Sequence, residues 1–350
     1  MTGRCRVHGR LQGLVRLLVQ AVLAVALSAT PSVAQRIVER YDDVAGFLRI
    51  GPEPERRIPM TERGYSLLLP EDDAAVVPGV VVFIDPGRFR VPPGGLEPGS
   101  FEAEALGRSL GILHITTGDP LDFLFGDSEV RVLADRTAAV LGEAGLDGIP
   151  VFLAGLSLGG TRALRLAAFL AEDPDRAPVH VSAVAIVDAP LDMARLWETE
   201  RRAATLGFHS AAADEGRWVT YLLETHLGGA PQAAPARYAE YSPFTHGAID
   251  GGRVVYLRHM PIRAYHEPDV DWWIENRRKS YYDMNSIDLA GLINQLRVLG
   301  NERAHLMTSH GRREGYEDGA TPHTWSIVDN ADLVDWFVRH ADRSDPEWTG

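Results

Sequence analysis

The chain has 350 residues, of which 45% are hydrophobic, 24% charged and 8% aromatic, a balance that supplies ample core material and excludes a disordered, collagenous or coiled-coil chain. Its basic residues are 34 Arg and one Lys, Lys279, against 48 acids, and the formal net charge is −13. An acidic surface lacks the positive footprint that a phosphate backbone requires, so nucleic acid is excluded as a partner.

Arg4, Arg6, Arg10 and Arg16 precede an apolar stretch from Leu17 to Leu27, which is followed by Ser32-Val33-Ala34. A basic start, a short apolar run and a small-x-small triplet are the pattern of a signal peptide, here residues 1–34. Its removal would leave a mature chain that begins at Gln35 and carries −17. The run is short for a bilayer span, which makes a retained anchor the lesser alternative. Cys5, the only cysteine, precedes the run and leaves with it, so the mature chain would hold no disulfide and no cysteine metal ligand. The expectation is a periplasmic or secreted protein with no stable membrane anchor.

Residues 35–60 read as an N-terminal extension, residues 61–342 as one domain and residues 343–350 as a tail. In the domain, short β-branched runs alternate with longer amphipathic segments, the signature of an α/β fold with a mostly parallel central sheet and helices on both faces. In chain order the spacing predicts strands at Tyr65 to Leu69, Val80 to Ile84, Gly111 to Ile115, Pro150 to Ala154, Val181 to Val187, Pro261 to Tyr265 and Ala304 to Thr308. Helices are predicted at about 101–109, 128–144, 160–172, 285–299 and 330–341, the last carrying Leu333, Trp336, Phe337 and His340 on one face. The stretch from about 190 to 255 breaks this rhythm. It is rich in Ala and Glu, with Trp197, Phe208, Trp218, Tyr221, Tyr238, Tyr241 and Phe244 interspersed, and reads as a helical cap inserted late in the sheet. Such an insertion lies over the carboxyl ends of the strands, where open α/β folds bind ligands. Its aromatics serve either as a lid over a site or as the insertion's own small core. Glu198, Glu200, Arg201 and Arg202 within it read as an exposed helical face, and Glu71-Asp72-Asp73 as a solvated turn.

The most informative segment is Gly155-Leu156-Ser157-Leu158-Gly159-Gly160, entered by the apolar run from Val151 and left by the helical Arg162 to Leu170. A sharp strand-to-helix turn needs small residues where backbones pass closely. It holds a serine hydroxyl clear of the sheet at a helix N-terminus, where the dipole favours a developing anion. Ser157 is the candidate nucleophile. With this segment, residues 60 to 342 resemble the α/β-hydrolase superfamily. The resemblance implies a nucleophile, acid, histidine order along the chain, an acyl-transfer site without a cofactor, and a cap between the sixth and seventh strands.

A serine hydroxyl needs a base, and the base needs a carboxylate to fix its tautomer. His323, in a loop before the last helix where the family places its base, is the leading candidate, and His310 is its rival. For the acid, the exit turn His266-Glu267-Pro268-Asp269 favours Asp269. In relatives this turn reads G-x-x-D, and here His266 takes the glycine position. Asp271, and Asp188 or Asp192 after the preceding strand, are the alternatives. An oxyanion hole needs one N–H from the residue after the nucleophile, Leu158, and one from the loop after Val80 to Ile84. Pro86 has no N–H, which leaves Gly87 or Arg88. The Arg88 side chain has a second reading, as a partner for a substrate carboxylate. Neither a zinc motif nor a nucleotide-binding glycine loop is present, so no metal or cofactor is expected.

These residues point to a serine hydrolase acting on a small-molecule ester or amide, with carboxylesterase the leading reading. The alternatives are a serine exopeptidase or amidase, and a catalytically silent binding protein on the same scaffold.

Overall fold

The computed structural model describes residues 35–72, 75–316 and 319–341; the expected signal peptide, Asp73 of the acidic turn and the tail 343–350 lie outside them. Twelve strands are described: β1 (Gln35–Asp43), β2 (Phe47–Arg49), β3 (Arg57–Pro59), β4 (Glu62–Pro70), β5 (Val80–Ile84), β6 (Gly111–Thr116), β7 (Val151–Leu156), β8 (Val181–Val187), β9 (Ile262–His266), β10 (Ala304–Thr308), β11 (Glu314–Tyr316) and β12 (Gly319–Thr321). The α-helices are α1 (Phe101–Gly107), α2 (Asp127–Glu143), α3 (Leu158–Glu172), α4 (Met193–Leu206), α5 (Ser210–Leu227), α6 (Pro235–Tyr241), α7 (Val270–Arg277), α8 (Ser286–Val298) and α9 (Asn330–Ala341).

Eight strands form one sheet in the order β1-β4-β6-β5-β7-β8-β9-β10. From β6 to β10 every pairing is parallel, while β1 and β4 add antiparallel strands at one edge. Every residue of β5, β6 and β8 is buried. Their continuous Val, Ile and Leu runs suit strands covered on both faces, where alternation would bury polar groups. On one face α2, α3 and α8 bring Leu133, Leu166 and Leu292 onto Val82, Leu153 and Ile186. On the other, α1 and α9 bring Phe101, Leu333 and Phe337 onto Val81, Phe152 and Ala185. Alternate residues of each strand serve opposite faces, as the pleat requires.

Residues 35–60, expected as an N-terminal extension, hold β1, β2 and β3, strands that the spacing did not predict. With Ile37 and Val38 exposed, β1 is an edge strand whose two faces differ little in polarity, and this left no alternating pattern in the sequence. Helix α7 was likewise not expected.

Between β8 and β9 the chain forms α4, α5 and α6. Met193, Leu196, Trp197, Leu222, Leu223, Tyr238 and Tyr241 bury one another into a separate small core. Most aromatics of the insertion therefore build the cap, while Trp218 reaches the cavity beneath it. Gly216 sits mid-helix in α5 because α5 crosses α4 there: a Cβ on it would lie 2.2 Å from the Glu200 carbonyl oxygen. Below the cap, the fully buried Asp288 of α8 accepts hydrogen bonds from the Leu191 and Asp192 N–H groups at 2.7 and 3.0 Å and pairs with Arg195 of α4 at 2.5 Å. Burial opposes the charged Asp288 carboxylate, yet Arg195 and the other donors hold its pKa below the usual carboxylate range. Among the described residues no helix is long and apolar enough to cross a membrane.

Candidate active site

The strand-to-helix turn puts Ser157 between β7 and α3 with φ 55° and ψ −128°, a left-handed backbone that a non-glycine residue adopts only under external constraint. The constraint is visible on both sides. The Ser157 N–H is held by the Val187 carbonyl at 2.8 Å, and a Cβ on Gly155 would lie 2.3 Å from the Gly159 carbonyl carbon, so only glycine lets the turn close. The Leu158 N–H belongs to the first turn of α3, whose donors have no partner within the helix.

His323 lies between β12 and α9 and donates its Nδ1–H to Asp188 Oδ2 at 2.6 Å. Asp188 directly follows β8, the hydrogen-bonded neighbour of β7, and has φ 40°. Burial resists the imidazolium of His323, but the Asp188 carboxylate outweighs it by charge and hydrogen bond, so the pKa is raised above the ordinary imidazole value. A carboxylate on Nδ1 leaves Nε2 as the lone-pair nitrogen of the neutral ring, which is the tautomer a general base needs. His323 and Ser157 line one cavity of about 400 Å³, and no hydrogen bond joins them directly.

This pairing corrects the expected acid. Asp269 does not approach His323. It is the N-cap of α7, where its Oδ1 accepts the Trp272 N–H at 3.2 Å while Oδ2 accepts from Arg313 Nε at 2.6 Å. With His266 in place of glycine, the β9 exit runs directly into a capped helix, and the cap consumes the carboxylate. Asp271 is exposed in the first turn of α7, and His310 is exposed after β10. Asp192 caps α4 through the Ala194 and Arg195 N–H groups. Of the carboxylates weighed from sequence, the structure joins Asp188 to His323.

The loop 85–89 follows β5 along the wall of a second cavity, about 860 Å³, to which Ser157 and Leu158 also contribute. Its two ends rest on one side chain that sequence reasoning missed: His114 of β6 contacts Asp85 Oδ2 through Nδ1 at 2.7 Å, and the Phe89 ring stacks on the His114 ring at 3.7 Å. The sequence signal was a lone histidine inside the wholly buried run Gly111-Ile112-Leu113-His114-Ile115. Between these anchors, Gly87 and Arg88 present their N–H groups without an intrachain acceptor among the described residues. The Arg88 guanidinium is spoken for by Glu39 at 2.7 Å and Glu62 at 3.1 Å and lies over the Tyr41 ring, so the reading of Arg88 as a substrate-carboxylate partner is corrected.

A further pair was unforeseen. Arg162 and Arg165 on α3 turn inward and are buried: Arg162 Nη1 donates to the Ile84 carbonyl at 3.3 Å, and Arg165 Nε donates to the Leu124 carbonyl at 2.6 Å. The nucleophile helix thereby rivets the end of β5 and the loop after β6. Among the described residues no group of three or more His, Cys, Asp or Glu side chains is arranged to hold a metal ion.

No protein-family model matches the chain, and no curated protein matches its sequence. Solved structures do match it in shape. One of the two Rhizomucor miehei fungal esterases superposes with a TM-score of 0.51 at 10% identity, covering 97% of this chain and 92% of that one. Brefeldin A esterase, described as a bacterial homologue of human hormone-sensitive lipase, gives 0.51 at 12% identity, with 97% and 89% covered. The chain has the α/β-hydrolase fold. An acylaminoacyl peptidase from Pyrococcus horikoshii gives 0.50 at 9% identity, and there the match spans 93% of this chain but only 44% of the peptidase.

Proposed function

We propose that this chain is an exported serine hydrolase, and specifically a carboxylesterase. The observation that carries the proposal is His323, paired with Asp188, on the wall of a cavity that also holds a strained serine at a helix N-terminus. Ser157 Oγ would attack the ester carbonyl as His323 Nε2 takes its proton, with Asp188 holding Nδ1–H and stabilising the imidazolium. The N–H groups of Leu158 and of Gly87 or Arg88 would receive the oxyanion, a donor set in which each member contributes about 3 to 4 kcal/mol to the transition state. His323 would return its proton to the leaving alcohol, and water would then release the acyl group by the same route. The buried apolar wall, with Trp218 and Trp325, suits a small-molecule acyl or alcohol group. Esterases of the same fold lend this reading the weight of analogy. Export follows from residues 1–34 alone.

Kinetics on a chromogenic short-chain ester test the proposal. Ser157→Ala is expected to lower kcat by about 10⁶ while the protein stays folded; a folded Ser157→Ala protein with wild-type kcat would overturn it. Mass spectrometry of the mature chain, expected to begin at Gln35, tests export.

A further inference from the structure

Arg162, on the nucleophile helix α3, is only 2% exposed and forms no ion pair among the described residues. Three backbone carbonyls hold its guanidinium instead: Nε donates to Asp122, Nη1 to Ile84 at 3.3 Å and Nη2 to Pro120 at 3.3 Å. The acids that act on it from further away are engaged elsewhere, Asp85 with His114, Asp119 with the Leu121 N–H and Asp122 with the Leu124 N–H. Burial pushes its pKa down, but a guanidinium starts so far above neutrality that it stays charged. Arg165 on the same helix is the contrast. It has a counter-charge, Asp127 at 3.0 Å, and takes no part in the cavity wall that Arg162 shares with Ser157, Leu158 and Gly87.

A buried cation without a counter-charge is costly, and here it stands beside the place where negative charge forms in the proposed reaction. The Ile84 carbonyl oxygen that Arg162 holds lies against the first turn of α3, 3.6 Å from where a Cβ on Gly159 would stand. From Ile84 the chain runs directly into the loop that offers the Gly87 and Arg88 N–H groups. A carbonyl oxygen is the negative end of its dipole, and one left bare beside the oxyanion donors would oppose the charge they receive. The resting ester is neutral and gains little from the guanidinium, whereas the tetrahedral oxyanion supplies the counter-charge that the resting site lacks.

We infer that Arg162 is a positioning residue of the oxyanion hole. It fixes the Ile84 carbonyl and the 85–89 loop against the nucleophile helix, and it holds at the cavity wall a positive charge whose counter-charge arrives only with the tetrahedral intermediate. The inference rests on the serine hydrolase proposed above.

The test compares Arg162→Gln, Arg162→Lys and Arg165→Gln on a chromogenic short-chain ester, together with inhibition by an alkyl trifluoromethyl ketone, whose adduct on Ser157 carries an oxyanion. Arg162→Gln is expected to lower kcat by about tenfold to a hundredfold, less than the roughly 10²–10³ lost with a direct oxyanion donor. KM should stay within a fewfold of wild type, and the ketone should weaken by the same factor as kcat falls. Arg162→Lys keeps the charge without the forked donors and should recover part of the loss, in kcat and ketone binding alike. Arg165→Gln should lower Tm and leave kcat within a fewfold. Unchanged kcat in Arg162→Gln, a loss carried by KM, a ketone affinity that does not follow kcat, or a Lys variant no better than Gln would overturn the inference. Should Arg162→Gln not fold, Arg162→Lys decides: a partial loss shared by kcat and the ketone supports the inference, and unchanged kinetics or a loss in KM alone overturns it. Wild type that neither cleaves the ester nor binds the ketone loses the hydrolase, whereas wild type that does both, matched in both by Arg162→Gln, loses only this inference.

Discussion

Replacing Asp188 by Asn, beside the matching change at Asp269, separates the two acids that the sequence offered. In the native site the Asp188 carboxylate can only accept, so His323 carries its proton on Nδ1 and leaves Nε2 free to take the Ser157 proton. An Asn amide at 188 can donate to Nδ1 instead, which moves the ring proton to Nε2 and removes the base without removing a single ring atom. In serine protease triads this tautomer error costs about 10⁴ in kcat, or about 5 kcal/mol of barrier. Asp269→Asn keeps an N-cap acceptor for the Trp272 N–H and weakens a half-exposed pairing with Arg313, so its expected cost is below about 1 kcal/mol of stability, with kcat within a fewfold of wild type. The assay is steady-state hydrolysis of a chromogenic ester by both variants, with circular dichroism melting to confirm folding. A folded Asp188→Asn enzyme of near-wild-type kcat, or an Asp269→Asn enzyme down by orders of magnitude, would refute the reasoning.

Because the pKa of His323 is raised and a base must be neutral to act, activity should be lost as pH falls through a value above that of an ordinary imidazole; an acid limb of kcat/KM at or below it would contradict the assigned pairing. Gly216→Ala should destabilise the protein, although helix propensity alone favours Ala by about 1 kcal/mol. The new Cβ would meet the Glu200 carbonyl at 2.2 Å, and a raised Tm would show that the α4–α5 crossing is misdescribed. Asp288→Asn should cost about 3 to 5 kcal/mol by leaving Arg195 buried without its counter-charge. Its pH dependence has two sides. Asp288 has a depressed pKa, so its contribution is complete above the unfolded carboxylate value and is lost as pH falls through the folded one. The hydrogen bond from His246 to Asp288 raises the pKa of His246, so that contribution is present below the unfolded imidazole value and is lost as pH rises through the folded one. The stability difference between wild type and Asp288→Asn should therefore be largest between about pH 4 and 6.5, and a pH-independent difference in Tm would contradict it.

Much of the sheet was legible because its central strands are buried on both faces: β5 and β8 fall at the boundaries that the apolar runs predicted. The edge was not legible, since β1 packs on one neighbour and keeps polar residues on both sides. Ser157 was conspicuous for a local reason, as the turn needs glycines at fixed offsets from the nucleophile. The acid was harder, because a carboxylate reaches its histidine through the tertiary fold: Asp188 and His323 are 135 positions apart, and a turn motif at 266–269 competed for the role. What decided between them was the helix cap, which claims Asp269 and is invisible until α7 is known. Glu200 was misread as part of an exposed face because its burial comes from the crossing with α5 and from Lys279, neither of which leaves a periodic trace; Glu198, two residues earlier, is exposed as read.

The most direct measurement of the central claim is reaction of the mature protein with an organophosphorus serine probe, followed by intact mass and peptide mapping. The account predicts one adduct per chain, on Ser157, slowed by orders of magnitude in Asp188→Asn and unaffected by Asp269→Asn. A folded protein that stays unlabelled, or carries its adduct on another residue, would contradict it.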